Sequence, residues 1–598
     1  MGSLLVVISQ EPTQARAERL GRMAARSPHR GSLEVMHLPG ASVGVQARQD
    51  ECTLYADDAL VVACQGRVYD PEVNDTEPYR VPSAERVARR WRAMGSRCLS
   101  ELDGDFGVWV YDRRRDLAEV ALSLSMARPL YVTARRDLVV IASEVRQVAA
   151  GAGIEQRLDL ERAVELLVIG VPVLAPERTE YVDIDRLIAP NRYRCRLRPP
   201  SLSAAGTYWT PPQEQRFNRA DAAALPQELL DLLAAAVDAL PRNAGFSLSS
   251  GYDSGTLWAI AHRAGSVRAD FRAYTLFHRG SPRDERETVR RLLAQTGTAA
   301  EFIDATDVCA SDYIEAHVRQ VDRVPQVGTL HTVDLIGAAA RRDGVTCHVV
   351  GLGVEAWLYA TAVYAAELLR RGRLARLLGD ALRFQGYGSK PQGRVAEALR
   401  FIRVAVAPPG SSLQRWRRRA RGAPDWLGPR WHGLWAAASD KLGELQRFDG
   451  FSRGQKWFNL RLYALAGAER VEQLGEHYGL ELSTPFMHRR IAEFGFRVPA
   501  RLLNGGRHPK DLLRRCAALA LGTTPPWSER KLPAERYADG AGPLLGLGDA
   551  AAWRLQQHGI VRGTALEAMV DAARGTSQAD GLARKLAFEE HYLRLYRS

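Results

Sequence analysis

From Ala244 onward the chain repeats a pattern that few folds can satisfy: a short apolar run, a turn of small residues, then a helical stretch. GFSLSS leads into SGTLWAIAHRAG, FRAYTLFH into DERETVRRLLAQTG, and TCHVVGLG into VEAWLYATAVYAAELL. Strands that alternate with helices at this spacing pair in parallel, because each helix carries the chain back across the sheet before the next strand begins. The expected architecture here is a doubly wound parallel α/β domain, preceded by the helix LPQELLDLLAAAVDALP and followed by a large helical C-terminal part. Ligands of such sheets bind beyond the carboxyl ends of the strands. Three loops qualify: SSGYDSG, the turn after AYTLF, and GLGVE.

The first 150 residues follow a different rule. SLLVVIS, ALVVACQGRVYD, GDFGVWVYDRRRD and RPLYVTARRDLVVIAS are rich in Val, Tyr and Trp and broken by DRRRD and ARRD turns. That predicts antiparallel pairing. One helix, SAERVARRWRAMG, is expected to open with Ser83 in capping position. The chain therefore divides into an α+β sandwich over residues 1–210 and the parallel domain over 211–598.

The loop FSLSSGYDSGTL offers an anion consecutive backbone N–H groups, serine hydroxyls and the positive end of the following helix. Asp253 is a poor neighbour for phosphate unless a cation lies between them, and magnesium shared by carboxylate and phosphate oxygens removes the conflict. Glu355 in GLGVE opens a helix at another strand end and is the second candidate metal ligand. No GxxxxGK[ST] motif and no HExxH or His/Cys cluster is present, so neither a Walker-type NTPase nor a transition-metal site is expected.

Charge narrows the partners. Of a net +13 on 598 residues, a surplus of 12 lies between Arg370 and Arg430, where 15 cations face 3 acids. One helical segment is basic, not the whole protein, and basic plus aromatic residues there do not outweigh the lack of any other sign of nucleic-acid binding. Six lysines stand among 82 cations. A lysine kept in an arginine-rich chain is a candidate for a role that needs a compact ammonium, and Lys510 is one of the six. Seven scattered cysteines without a CxxC pair fit reduced thiols. The apolar run LLVIGVPVLA falls far short of the roughly 20 residues that span a bilayer. MGSLLVVISQ lacks a basic start and a cleavage site, so a cytoplasmic location without membrane contact is expected.

Ser249-Ser250-Gly251-Tyr252-Asp253-Ser254 resembles the SGGxDS loop of the PP-loop ATP pyrophosphatases. GLGVEAWLY, ELSTPFMHRRIAEF, and HPKDLLRR followed by PPWSERK resemble, in order and spacing, the GxGxDExF, ExRxPFLDxxxxEF and KxxLR to R-K segments of asparagine synthetases. LDGDFGVWVYD, RPLYV and IASEVRQV resemble the class II glutamine amidotransferase-like half of that superfamily. The resemblance implies an ATP-dependent, AMP-forming amide ligase.

Three departures matter within it. Glutamine-hydrolysing members attack the amide with the thiol of a cysteine at the position of Gly2, so this half is expected to be inert. Leu352 stands where asparagine synthetases carry Glu and β-lactam synthetases Tyr. Ala356 replaces an acid. These departures resemble the lasso peptide cyclases, which adenylate an Asp or Glu side chain of a precursor peptide and join it to the peptide's N-terminal amine as a macrolactam. A small-molecule amide ligase of asparagine or β-lactam type is the alternative, and a non-catalytic peptide-binding scaffold a further one.

On the cyclase reading the resemblance implies ATP and Mg2+, with the metal on Asp253 and Glu355. Ser249, Ser250, Gly251 and Ser254 hold the β- and γ-phosphates. Ser247, Leu248, Leu276 and Gly351 line the nucleotide. Lys510 neutralises charge at the α-phosphate, and Glu481 orients or deprotonates the amine. Implied partners are the precursor peptide, a leader peptidase and a leader-recognition protein.

Overall fold

The computed structural model describes residues 2–27, 31–48, 52–69, 81–263, 271–280, 284–306, 308, 330–384, 394–409, 411–446, 451–463, 478–527, 553–565, 567, 590 and 593. Cys309, residues 385–393 of the basic segment and the Arg530-Lys531 pair lie outside them.

The N-terminal half comprises strands β1 (Ser3–Ser9), β2 (Ser32–Leu38), β3 (Ala41–Ala47), β4 (Cys52–Ala56), β5 (Leu60–Tyr69), β6 (Asp103–Asp112), β7 (Leu117–Leu122), β8 (Tyr131–Arg135), β9 (Leu138–Ala142), β10 (Asp185–Arg186), β11 (Asn191–Leu197) and β12 (Pro200–Thr207). They form two antiparallel sheets, ordered β10-β8-β9-β1-β3-β2 and β12-β11-β7-β6-β5-β4. Side-chain alternation explains the layering. In β1, Leu4, Val6 and Ile8 meet Val61, Trp109 and Val120 between the sheets. Leu5 and Val7 point the other way, onto Leu20, Met23 and Val148 of the covering helices Thr13–Ala25 and Val145–Ala152. In β6, Trp109 faces the second sheet while Phe106, Val108 and Val110 pack on Val87 and Trp91 of the helix Ser83–Met94. The sandwich has four layers, helix-sheet-sheet-helix, and central strands such as β1, β6 and β9 are buried along nearly their whole length because both of their faces are covered, while β2 and β12 at the edges are more exposed.

Ser83 has a different task from the expected cap. It is the first helical residue, and its Oγ accepts a hydrogen bond from Val68 N at 3.1 Å, which ties the helix to the end of β5. Gly95, at φ 60°, ends that helix. The six described cysteines are all buried.

The second half begins with the helix Arg219–Asp238, opened by Asn218, whose side chain accepts from Asp221 N at 2.8 Å. This cap starts the helix before LPQ, and the chain passes through Pro226 without breaking. The sheet that follows contains β13 (Ala244–Ser247), β14 (Arg272–Phe277), β15 (Glu301–Asp304), β16 (Cys347–Val349) and β17 (Glu481–Ser483). Every pairing is parallel, in the order β15-β14-β13-β16-β17. The order runs outward both ways from β13 and β16, which creates a crevice at their carboxyl ends.

The stretch VEAWLYATAVYAAELL is two helices, Val354–Trp357 and Tyr364–Arg370. The break comes where Ala360 N bonds to Pro509 O at 3.1 Å and Thr361 Oγ1 donates to Gln455 Oε1 at 3.2 Å. The basic segment is helical over Leu374–Arg383, Arg394–Val406 and Ser412–Arg421, with Pro408 and Pro409 separating the last two. Trp426, Trp431 and Trp435 pack on the outer core of the sandwich, where residues near Trp553–Val561 join them. No described helix is long and apolar enough to cross a membrane.

Candidate active site

β13 ends at Ser247 and the Tyr252–Ala261 helix starts after Gly251, so Leu248–Gly251 form the turn at the sheet crevice. The turn is braced by its own serines. Gly251 N donates to Ser249 Oγ at 3.2 Å, Ser249 N donates to Ser254 Oγ at 3.2 Å, and the two hydroxyls lie 3.0 Å apart. Leu248, buried, is fixed by its N–H on Tyr274 O at 2.9 Å. The Ser250 N–H donates to Glu285 Oε2 at 2.9 Å. A carboxylate on that N–H shows that the turn presents it to an oxyanion.

The crevice is narrow, and glycine allows it. A Cβ built on Gly351 would lie 2.9 Å from Ser254 N and 3.0 Å from Asp253 Cβ, so the loop after β16 passes directly over the first turn of the Tyr252–Ala261 helix. Gly353, at φ +102°, turns the chain into the Val354–Trp357 helix, where a side chain would collide with Met487. This brings Glu355 beside Asp253.

Lys510 closes the group from more than 150 residues downstream. Its Nζ donates to Asp253 Oδ1 at 2.8 Å and Oδ2 at 2.6 Å, and to Glu355 Oε1 at 2.8 Å. It is 3% exposed, and its Nζ lies 5.8 Å from the centre of the Tyr359 ring. Burial alone would push the ammonium pKa down, but the charges and hydrogen bonds of Asp253 and Glu355 hold it above the ordinary lysine range. Lys456 shows that rarity by itself does not mark chemistry. It too is buried, but its Nζ donates to Gly495 O at 2.6 Å and Val498 O at 2.8 Å, closing the end of the Arg489–Arg497 helix. Burial pushes its pKa down to about 8.

Two carboxylates and one ammonium leave this cluster with a formal charge of −1, which repels a polyphosphate. A divalent cation reverses that sign, and two carboxylates at one point suit a hard oxygen-seeking ion such as Mg2+ that takes its other ligands from phosphate and water. Among the described residues no group of three or more His, Cys, Asp or Glu could hold a metal by itself. The donor set thus fits a metal that arrives with a nucleotide.

Ser247, at the end of β13, shares a 2.6 Å hydrogen bond with His348 Nε2 of β16. Burial pushes His348 down to about 4, so the imidazole is neutral at neutral pH. Leu276 lies in β14, half-buried beside Tyr274 and Ile336. His348, Glu285 and Tyr359 were not legible as site residues; each is brought to the crevice by pairing or a helix break rather than by a motif.

Glu481, the residue expected to orient or deprotonate the amine, lies at the seam between the two halves. It is buried on β17, with Oε2 2.7 Å from Arg67 Nε and Oε1 2.9 Å from Arg128 NH2, both arginines of the sandwich. Arg128 NH2 also donates to Leu482 O at 3.1 Å. The following residues continue the seam. Asp105 accepts from Thr484 N at 3.1 Å and Oγ1 at 3.0 Å, and Asp103 accepts from Arg489 N at 2.6 Å. The ELSTPFMHRR stretch fastens the two halves together, and Glu481 is its first anchor.

At Gly2 the structure leaves no space for a nucleophile. A Cβ there would overlap Cys52 Cβ, well inside van der Waals contact, and lie 2.8 Å from Gln46 O. Cys52 and Gln46 are themselves buried.

The fold and the crevice define a two-part synthetase, an amidotransferase-type sandwich joined to a nucleotide-binding parallel domain. Residues 228–589 match the family model described as Asparagine synthase, and residues 54–202 match that of a Glutamine amidotransferase domain. The chain belongs to the asparagine synthase family and is an ATP-dependent amide ligase. No curated protein matches it in sequence. Among solved structures it is similar to glutamine phosphoribosylpyrophosphate amidotransferase from B. subtilis complexed with ADP and GMP, at 11% identity over 51% of this chain and 81% of that one, TM-score 0.24. A structure described as the allosteric regulatory enzyme of purine biosynthesis matches at 12% identity over 51% and 80%, TM-score 0.24. The U34-tRNA thiolase NcsA from Methanococcus maripaludis matches at 13% identity over 44% and 82%, TM-score 0.20.

Proposed function

We propose that the enzyme is a macrolactam synthetase of lasso cyclase type. It would adenylate an Asp or Glu side chain of a precursor peptide and join it to the peptide's own N-terminal amine. The observation that carries this reading is the filled space at Gly2: with Cys52 and Gln46 packed where a nucleophile would project, the sandwich supplies no ammonia from glutamine, and the amine must come with the substrate. Leu352 adds to it, because an apolar residue at the mouth of the crevice suits neither small-substrate role of the family.

In the first step a substrate carboxylate oxygen attacks the α-phosphorus of ATP and pyrophosphate leaves. The turn Ser249–Ser254 receives the β- and γ-phosphates through its N–H groups, displacing the Glu285 carboxylate from Ser250 N. Ser247, Leu248, Leu276 and Gly351 border the nucleoside at the ends of β13, β14 and β16. Bound at Asp253 and Glu355, Mg2+ would supply charge neutralisation for the phosphates. Lys510 turns from its carboxylate partners toward the α-phosphate, where a preorganised ammonium stabilises charge that grows in the transition state. In the second step the peptide amine attacks the acyl carbon, AMP leaves with the C–O electron pair, and the amine loses a proton. Glu481, committed to Arg67 and Arg128, serves by fixing β17 at the edge of this crevice.

The test is turnover of a linear precursor with a free N-terminal amine against the same peptide acetylated at that amine. Equimolar AMP and cyclic product from the first, with no cyclic product from the second, supports the reading. Turnover with free aspartate and ammonia, and none with peptide, replaces it by the small-molecule ligase.

A further inference from the structure

The Leu374–Arg383 and Arg394–Val406 helices each have two apolar faces. Their inner faces are satisfied: Leu377, Ala381, Phe384, Phe401 and Ala405 belong to the main core, with the two phenylalanine rings 5.3 Å apart. On the outside, Leu374, Leu378 and Leu382 recur every fourth residue, and Val395, Leu399 and Val406 follow the same helical period on the neighbouring helix. These six are 54–74% exposed. A helix with apolar residues on both sides is normally covered on both, and a contiguous exposed patch of this kind marks an interaction surface.

The charges around the patch are predominantly positive, with Glu397 the one acid of the two helices that is not buried. Arg376, Arg383, Arg394, Arg400 and Arg403 lie on the two helices, against the acids Asp380 and Glu397. Asp380 is 0% exposed and turned inward to Arg501 Nε at 2.9 Å. We propose that the outward face of these two helices is a docking surface for an acidic amphipathic helix of a partner protein. Two leucine/valine stripes on adjacent helices receive the apolar face of a third helix, as other helix-binding grooves do, and the flanking arginines meet its carboxylates.

Charge and composition select this occupant. A second copy of the chain, docked face to face, would set arginine against arginine. A lipid surface is favoured by exposed Trp, Tyr or Phe, whereas every large apolar residue exposed among the described residues is Leu or Val.

The probe is a fluorescein-labelled designed peptide with leucines at three- and four-residue spacing and glutamates between, compared with a scrambled peptide of the same composition. Fluorescence anisotropy is expected to show saturable binding of the patterned peptide, weakened at least about tenfold in L378E/L399E and also in R376E/R403E. ATP turnover and Tm of both double variants stay at wild-type values, since the substituted side chains are exposed. Three outcomes would overturn the proposal: equal binding of the scrambled peptide, unchanged binding in L378E/L399E, or no peptide binding together with Leu378-dependent attachment to phosphatidylglycerol vesicles. So would a wild-type dimer in sedimentation that L378E/L399E converts to monomer. Because binding is read without substrate, the result is independent of which amide the enzyme forms.

Discussion

Lys510 and Asp253 stand 257 residues apart in sequence and 2.6 Å apart in space, with the ammonium 3% exposed. Such a contact sets an ammonium beside the Leu248–Gly251 turn, and the two carboxylates hold its pKa above the ordinary lysine range. In the proposed mechanism the lysine acts as a fixed charge.

Substitution of Lys510 by Ala is expected to lower pyrophosphate release at least about a hundredfold, the scale of roughly 3 kcal/mol for one preorganised charge. Lys510→Arg should not recover it, since a planar fork does not replace a point charge between Asp253 and Glu355. Steady-state release of pyrophosphate, with Tm measured alongside, checks both.

Gly351→Ala tests the crevice without touching a charge. Its methyl would press on Ser254 N and Asp253 Cβ at 2.9–3.0 Å, so the loop must shift. The expected outcome is a KM for ATP raised several-fold, with a drop in stability of about 1–3 kcal/mol as for other overpacked sites.

Breaking the Glu481 anchor should separate the halves. Glu481→Ala leaves Arg128 buried without its carboxylate, which costs about 3–5 kcal/mol at such sites. Faster tryptic cleavage between Thr207 and Arg219 and a lower Tm are expected, and the double variant R128M/E481M should regain part of the loss. If Glu481 acted as a base instead, Glu481→Gln would lower turnover at unchanged Tm.

The same seam gives a pH dependence. His488 Nε2 lies 3.8 Å from Asp105 Oδ2, with Asp103 and the Tyr69 ring also beside it. Burial opposes charge on both groups, yet their mutual attraction raises His488 above 6.5 and holds Asp105 at about 2 instead of 3.8. A raised histidine contributes stability fully below pH 6.5 and loses it as pH rises through its folded value. A depressed aspartate contributes above pH 3.8 and loses it as pH falls toward 2. The Tm should be highest between about pH 4 and 6.5 and fall on the alkaline side, and His488→Gln should flatten that alkaline fall.

Reintroducing the nucleophile should fail. Gly2→Cys is expected to release no ammonia from glutamine, because its side chain meets Cys52 and the Gln46 carbonyl. Its Tm should drop, and the paired change Gly2→Cys/Cys52→Gly should recover stability by opening the space.

What could be read in the chain beforehand depended on length and period. In the sandwich β1, β5, β6, β8 and β9 declare themselves through apolar runs bounded by turns, whereas β2, β3, β4, β7 and β10–β12 did not, and β13, β14 and β16 show as a strand running into a helix. β15 and β17, four and three residues long, carry too little pattern to register, although both complete the sheet. Ser249–Ser254, Glu355 and Lys510 could be picked out as candidates because each sits in a short motif, and the structure brings them to one crevice. Arg67, Arg128, Asp103 and Asp105 were not: they act across the seam, and nothing in a linear sequence says which arginine meets which carboxylate. The pairing of Glu481 with Arg67 and Arg128 was likewise invisible in the sequence.

The most direct test is the fate of one oxygen atom. A linear precursor carrying a heavy-oxygen label in its Asp or Glu side-chain carboxyl is incubated with the enzyme, ATP and Mg2+, and the products are separated by mass spectrometry. The account predicts the label in AMP, one labelled oxygen per ring closed, and none in pyrophosphate. Label in inorganic phosphate with ADP as the other product, or AMP formed only with free aspartate and ammonia, would contradict it.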